Sequence, residues 1–178
     1  MIRDTRNSFG LVSILLHWFV AALIVALWFD GQALEDGATA DARAAHFAWG
    51  IVAAVFILAR VSWRLASGNP EPLSSPPLLN MMARLVKLAL LLDMAIMVVA
   101  GVISVWLMGR TIDVLGVVSL PSPFAANHDL HEAVQKVHSL SAKLLVPLVG
   151  LHVLGAFKHL IFDRDGTFGR MIWPARRA

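Results

Sequence analysis

Four apolar blocks dominate this chain, and three of them run for about 20 residues, the length that crosses a hydrocarbon core. Hydrophobic residues make up 58% of the 178 positions and charged residues only 15%, less charge than a soluble domain of this size carries. The candidate helices cover residues 10–29, 44–65, 82–108 and 131–162. The expected fold is all-α: an integral membrane four-helix bundle, with residues 1–178 forming a single domain. The first block is too long, and too poor in a small-residue cleavage site, for a removed signal peptide, so it is expected to remain a span.

Three connections separate the blocks. Residues 31–43 (GQALEDGATADAR) are short, polar and acidic. The segment SGNPEPLSSPPLLN is rich in Pro and Ser and reads as a loop. Residues 109–130 are the longest connection, with room for a short surface helix. Four spans put both termini on one side. The terminal segments and the second connection carry Arg3, Arg6, Arg64, Arg84, Lys87, Arg164, Arg170, Arg176 and Arg177. The other two connections carry Arg43 and Arg110, beside Asp30, Glu35, Asp36, Asp41, Asp113, Asp129 and Glu132. The positive-inside rule then makes both termini cytoplasmic. The tryptophans lie mostly toward span ends, as an interfacial belt would. The net charge of +3 does not point to nucleic acid, because the basic residues sit at span ends.

There is no cysteine. That excludes disulfides, iron–sulfur clusters, thiolate zinc sites and covalent haem attachment through C-x-x-C-H. Any metal centre must rest on side chains such as His or Met.

The fourth block carries His138 and His152, fourteen residues apart, which is close to four helical turns and about 21 Å of rise. The two imidazoles therefore share a face. By depth His17 falls with His152 in the inner half, and His46 falls with His138 in the outer half. Two bis-histidine sites result, with the fourth helix as their shared wall. A b-type haem takes two axial nitrogens from facing helices. Zinc or copper fits less well, because two ligands underfill a tetrahedral site. The alternative is four packing histidines at helix interfaces, although intramembrane ionisable residues are costly and usually functional. Gly50, Ala53, Ala54, Gly150 and Gly155 leave room for a macrocycle, and Pro147 can bend the fourth helix.

Arg60 follows His46 by fourteen residues and is a candidate for haem propionates; its alternative is snorkelling to the cytoplasmic surface. His159 could serve a propionate or a quinone, or be an ordinary interfacial histidine. His128 and His131 read as solvated surface residues. Asp93 and Lys143, both near mid-depth, are expected to pair with each other; a proton-relay role for Asp93 is the other reading. No residue stands out as catalytic.

In order along the chain come S-x-x-L-H-W (Ser13 to Trp18), His46, the pair Arg60 and Arg64, the Pro-rich second connection, and His138, His152 and GAFKH (Gly155 to His159). Together these resemble the bacterial di-haem cytochrome b561 family, which is grouped with the cytochrome b subunits of nickel-iron hydrogenases. The resemblance implies four transmembrane helices and two b haems on His17, His46, His138 and His152. It also implies electron exchange with membrane ubiquinone in the bacterial inner membrane. Some similar proteins are superoxide oxidases, which take an electron from superoxide at the periplasmic face and reduce ubiquinone. Others are electron-transfer anchor subunits of a dehydrogenase or hydrogenase-type complex, and that is the second reading here. A homodimer or a partner redox subunit is compatible with either. A bundle without haem is the third reading. One departure is that several family members carry histidines at the start of the third helix, where this chain has Arg84 and Lys87. Asp93 and Lys143 also look unusual for the family. The expected electron route is periplasmic donor, outer site, inner site, quinone. His128, His131 and Lys136 could form a basic funnel for an anionic donor.

Overall fold

The structure, a computed structural model, describes residues 1–35, 37, 39–68, 70–71, 73 and 76–174. Asp36, Arg176 and Arg177, which entered the charge argument above, lie outside the described residues. Four helices are long and apolar enough to cross a membrane. They are α1 (Leu11–Glu35), α2 (Ala40–Ser67), α3 (Pro77–Leu107) and α4 (His128–Lys158). The chain is thus a mostly helical, multi-span membrane protein. Large side chains such as Leu65, 82% exposed, and Phe162, 79% exposed, would be a liability in water and suit lipid contact.

Every helix starts earlier than hydropathy suggests or runs further, because local hydrogen bonds and not apolarity set the ends. α1 continues past its apolar run through Asp30 to Glu35. α2 begins at Ala40, where Thr39 caps it: the Ala42 N–H donates to Thr39 Oγ1 at 3.2 Å and the Arg43 N–H to the Thr39 carbonyl at 3.2 Å. The expected loop 31–43 therefore shrinks to a few residues. α3 begins at Pro77 rather than 82. Proline suits a first helical position, where its missing N–H costs nothing, so part of the Pro-rich loop is helix. α3 ends before Gly109, whose φ of 69° closes the helix in a left-handed conformation. α4 starts at His128 rather than 131, capped by Asn127, whose Oδ1 accepts the Leu130 N–H at 3.0 Å. Its last turn widens into a π-turn, His159–Asp163, ending at Arg164 with φ 50°.

The connection 109–130 holds no surface helix. It forms a hairpin of β1 (Ile112–Val114) and β2 (Val118–Leu120), antiparallel, with Ile112 opposite Leu120. Leu115 and Gly116 turn the chain with φ of 56° and 72°. The Asp113 carboxylate takes the Gly116 N–H at 2.6 Å and the Ser119 hydroxyl at 3.3 Å. Trp106 Nε1 donates to the Leu120 carbonyl at 3.4 Å, which fastens the hairpin to the end of α3.

Each helix contributes to two compact units. One comprises Met1–Phe19, Ile57–Leu91 and Val146–Ala178. Here Asp4, with its side chain 1% exposed, anchors the N-terminal segment. Its carboxylate accepts the Gly10 N–H at 2.7 Å and the Ser13 hydroxyl at 2.8 Å. Trp63 Nε1 donates to Ser13 Oγ at 3.0 Å, and the Arg64 guanidinium stacks over Phe9 at 5.0 Å. A Cβ at Gly10 would fall 2.3 Å from the Ile2 carbonyl oxygen, so only glycine lets the segment fold back. Trp18 Nε1 reaches the Met171 carbonyl at 2.7 Å and holds the C-terminal segment. The other unit comprises Val20–Phe56 and Leu92–Leu145. Its buried residues include Ala48, Ala53, Ala100 and Val105, and small side chains of this kind let membrane helices approach closely.

Candidate functional site

In the Val20–Phe56 and Leu92–Leu145 unit, His46 and His138 face each other with ring centroids 6.3 Å apart and planes at 88°. Each ring has its Nδ1 occupied. His46 Nδ1 lies 2.9 Å from Asp30 Oδ2. His138 Nδ1 lies 2.8 Å from the Met97 carbonyl. Both partners can only accept when the carboxylate is ionised, so each Nδ1 carries the proton and donates, and each neutral ring keeps its lone pair on Nε2. That is how metal-binding histidines are oriented by their outer partners. Gly101 makes the α4 approach feasible: a Cβ there would sit 3.0 Å from two atoms of the His138 ring.

In the other unit, His17 and His152 face each other with centroids 6.1 Å apart and planes at 75°. Arg60 is close enough to act electrostatically on both rings, and Lys87 on His152. Arg60 Nη1 is buried with no hydrogen-bond partner among the described residues. An unpaired buried guanidinium nitrogen is costly, so this position calls for an anionic acceptor.

These features fit a haem. A metal–imidazole bond is about 2 Å and the bonding nitrogen lies about 1 Å from its ring centre, so two rings sharing one metal stand about 6 Å apart. Both pairs have that spacing. Two imidazole nitrogens in each pair would hold a haem iron and leave its remaining coordination positions to the macrocycle. A Cβ added at Gly50, Gly150 or Gly155 would meet nothing within 4 Å, so no side chain crowds these helix positions. Arg60 offers the cation that a propionate needs.

The remaining candidates divide. His159 is not free: its Nδ1 lies 2.7 Å from Asp165 Oδ2 and 3.1 Å from Asp163 Oδ2, and Lys158 holds Asp163 as well. Its ring still lines an apolar groove of about 430 Å³ with Leu160, Arg164, Phe168, Ile172 and Trp173. Partial burial works to raise the Asp165 pKa, but hydrogen bonds from the Thr167 backbone and side chain and from His159 bring it below the ordinary carboxylate value. His131 is not simply solvated. Its Nδ1 donates to the Ser104 carbonyl at 3.0 Å, while the buried Ser104 hydroxyl donates to Gln135 Oε1 at 2.8 Å. His128 is exposed and lies 3.2 Å from Glu132. Both histidines line a cavity of about 300 Å³ with Arg110; Lys136 is not part of its lining. Asp93 does not pair with Lys143. The Ser141 hydroxyl bonds the Asp93 carboxylate, whose Oδ2 is buried without a partner among the described residues, and Lys143 is exposed.

Sequence reasoning missed Asp30, Gly101 and Ser104. Asp30 was visible as an acid at a span end, but its partner depended on how tightly α1 turns into α2. Gly101 had a signal, a lone glycine in an apolar helix, which often marks close approach.

The comparisons with known proteins agree. The chain is 29% identical over 175 residues to cytochrome b561 homolog 2 of Escherichia coli (strain K12), covering 95% of this chain and 93% of that one. It is 24% identical over 179 residues to the probable superoxide oxidase CybB of Yersinia pestis, covering 97% and 99%. The model of the prokaryotic cytochrome b561 family matches residues 8–174, so the chain belongs to that family, and membership implies b-type haem binding in a bacterial membrane.

Proposed function

We propose that this protein is a two-haem cytochrome of the bacterial inner membrane that moves single electrons from a periplasmic donor to ubiquinone. The observation that carries the reading is the pair of facing imidazoles in each unit, both at a metal-sharing distance. His46 and His138 would hold one haem, His17 and His152 the other, and Arg60 a propionate. Haem, when bound, supplies a one-electron couple in the apolar span. Asp30 and the Met97 carbonyl fix the tautomers of His46 and His138, so that each presents an unprotonated nitrogen.

The groove at His159 suits a quinone ring: apolar walls, with the Arg164 guanidinium and His159 as its polar groups. Superoxide is the donor we favour, because one full-length relative is named a probable superoxide oxidase. The cavity lined by Arg110, His128 and His131 suits a small anion.

A reduced-minus-oxidised spectrum of the purified protein is the first test. The sharp visible band of bis-imidazole b haem, at two haems per chain, is expected, and its absence would end the reading. Stopped-flow mixing with superoxide tests the donor. Haem reduction should slow as ionic strength rises and in Arg110→Ala; a slow reaction indifferent to both would sink superoxide and leave the cytochrome reading intact.

A further inference from the structure

We infer that Asp30 is a positioning residue that lowers the midpoint potential of the haem held by His46 and His138. The inference rests on the haem reading above. The two rings of this pair differ in what holds them. His138 donates to a neutral backbone carbonyl, that of Met97. His46 donates to a carboxylate at 2.9 Å. A hydrogen bond to an ionised acceptor is roughly twice as strong as a neutral one. It draws the Nδ1 proton away from the ring and leaves more electron density on Nε2. A ligand nitrogen of that kind favours the higher oxidation state of the iron it binds.

The surroundings let the carboxylate act on this ring. The His46 side chain is 16% exposed and that of Asp30 40%, so the bond is shielded from water on the side of the ring. Among the described residues, no lysine or arginine forms an ion pair with Asp30, and the contact to His46 is the one ion-pair distance recorded for it. Its charge is therefore not neutralised by a competing cation. α1 persists as helix to Glu35, so Asp30 stands on a regular element rather than on a loop, and a positioned second partner is more precise there. Among the described residues no carboxylate makes a hydrogen bond or ion pair with His138, and the bare backbone of Gly101 packs close to its ring. The haem between these rings thus has one electron-rich ligand and one ordinary ligand.

The test is a potentiometric titration of purified wild-type protein and Asp30→Asn, followed by the haem spectrum. The expected result is that both haems remain and one of two transitions moves to higher potential. The reduced-to-oxidised ratio of that haem at fixed ambient potential should rise about tenfold, a shift of about 59 mV for a one-electron couple. Asp30→Glu, which keeps the carboxylate, should bring the transition back toward the wild-type value. If Asp30→Asn loses a haem, Asp30→Ser, a smaller neutral acceptor, is titrated in its place and read the same way. Two unchanged transitions overturn the inference. So does an equal shift of both transitions, which would mark a diffuse charge effect and not one through His46. A wild-type protein without b-haem transitions overturns the haem reading itself, and that result appears before any substitution is made.

Discussion

Gly101 and His138 show how little slack the site has at the scale of single residues. A Cβ at 101 would come within 3.0 Å of the His138 ring, so Gly101→Ala should displace the ring and weaken its bond to the Met97 carbonyl. Overpacking of this kind costs about 1–3 kcal/mol. A lower Tm in detergent, with loss of one haem and retention of the other, is the expected outcome; an unchanged haem content would show that the ring can yield. Asp165 carries a different prediction. Its folded pKa lies below the ordinary 3.8, so its stabilising contribution is complete above that value and fades as pH falls through the folded pKa. Hydrogen exchange at the Thr167 amide, which donates to Asp165 Oδ1 at 2.9 Å, should therefore speed up only below about pH 3.8. In Asp165→Asn that pH step should vanish.

The helices were legible where burial in lipid dictates composition, and illegible where polar details decide. Four apolar runs name four spans almost by themselves. Their ends depend on caps. Asn127 closes the start of α4 through its side chain, and Pro77 opens α3 inside a segment whose composition reads as loop. The hairpin escaped because strands of three residues carry too short a pattern to register. The histidines were legible because ionisable groups inside a span are rare, and the fourteen-residue spacing on one helix sets them on one face. Their hydrogen-bond partners were not, since Asp30 meets His46 only across a connection whose length the sequence left open. Asp93 illustrates the same limit: a buried carboxylate needs a partner, but Ser141 and Lys143 sit two residues apart and only geometry chooses. The cap yields a prediction. Asn127→Ala should cost about 1 kcal/mol. Thermal unfolding would read the loss, and faster exchange confined to the Leu130 and His131 amides would localise it.

For the whole molecule, basic residues gather at the chain ends and at the ends of α2 and α3 that adjoin their connection (Arg60, Arg64, Arg84 and Lys87), while seven of the twelve acidic residues lie in or beside the other two connections. The positive-inside rule then predicts cytoplasmic termini. Fusion of a phosphatase that works only in the periplasm should be inactive at the C-terminus and active when inserted in the 109–130 connection. Reversed activities would invert the topology. The placement of the imidazoles also bears on how the protein is made. α4 leaves the ribosome after α1, α2 and α3, and it supplies one ring to each pair, His138 to one and His152 to the other. His17 and His46 are synthesised early but have no facing ring until that span is in place. If the two pairs hold haem as proposed, capture has to await α4, and a polypeptide arrested after α3 would carry half of each pair and retain neither haem.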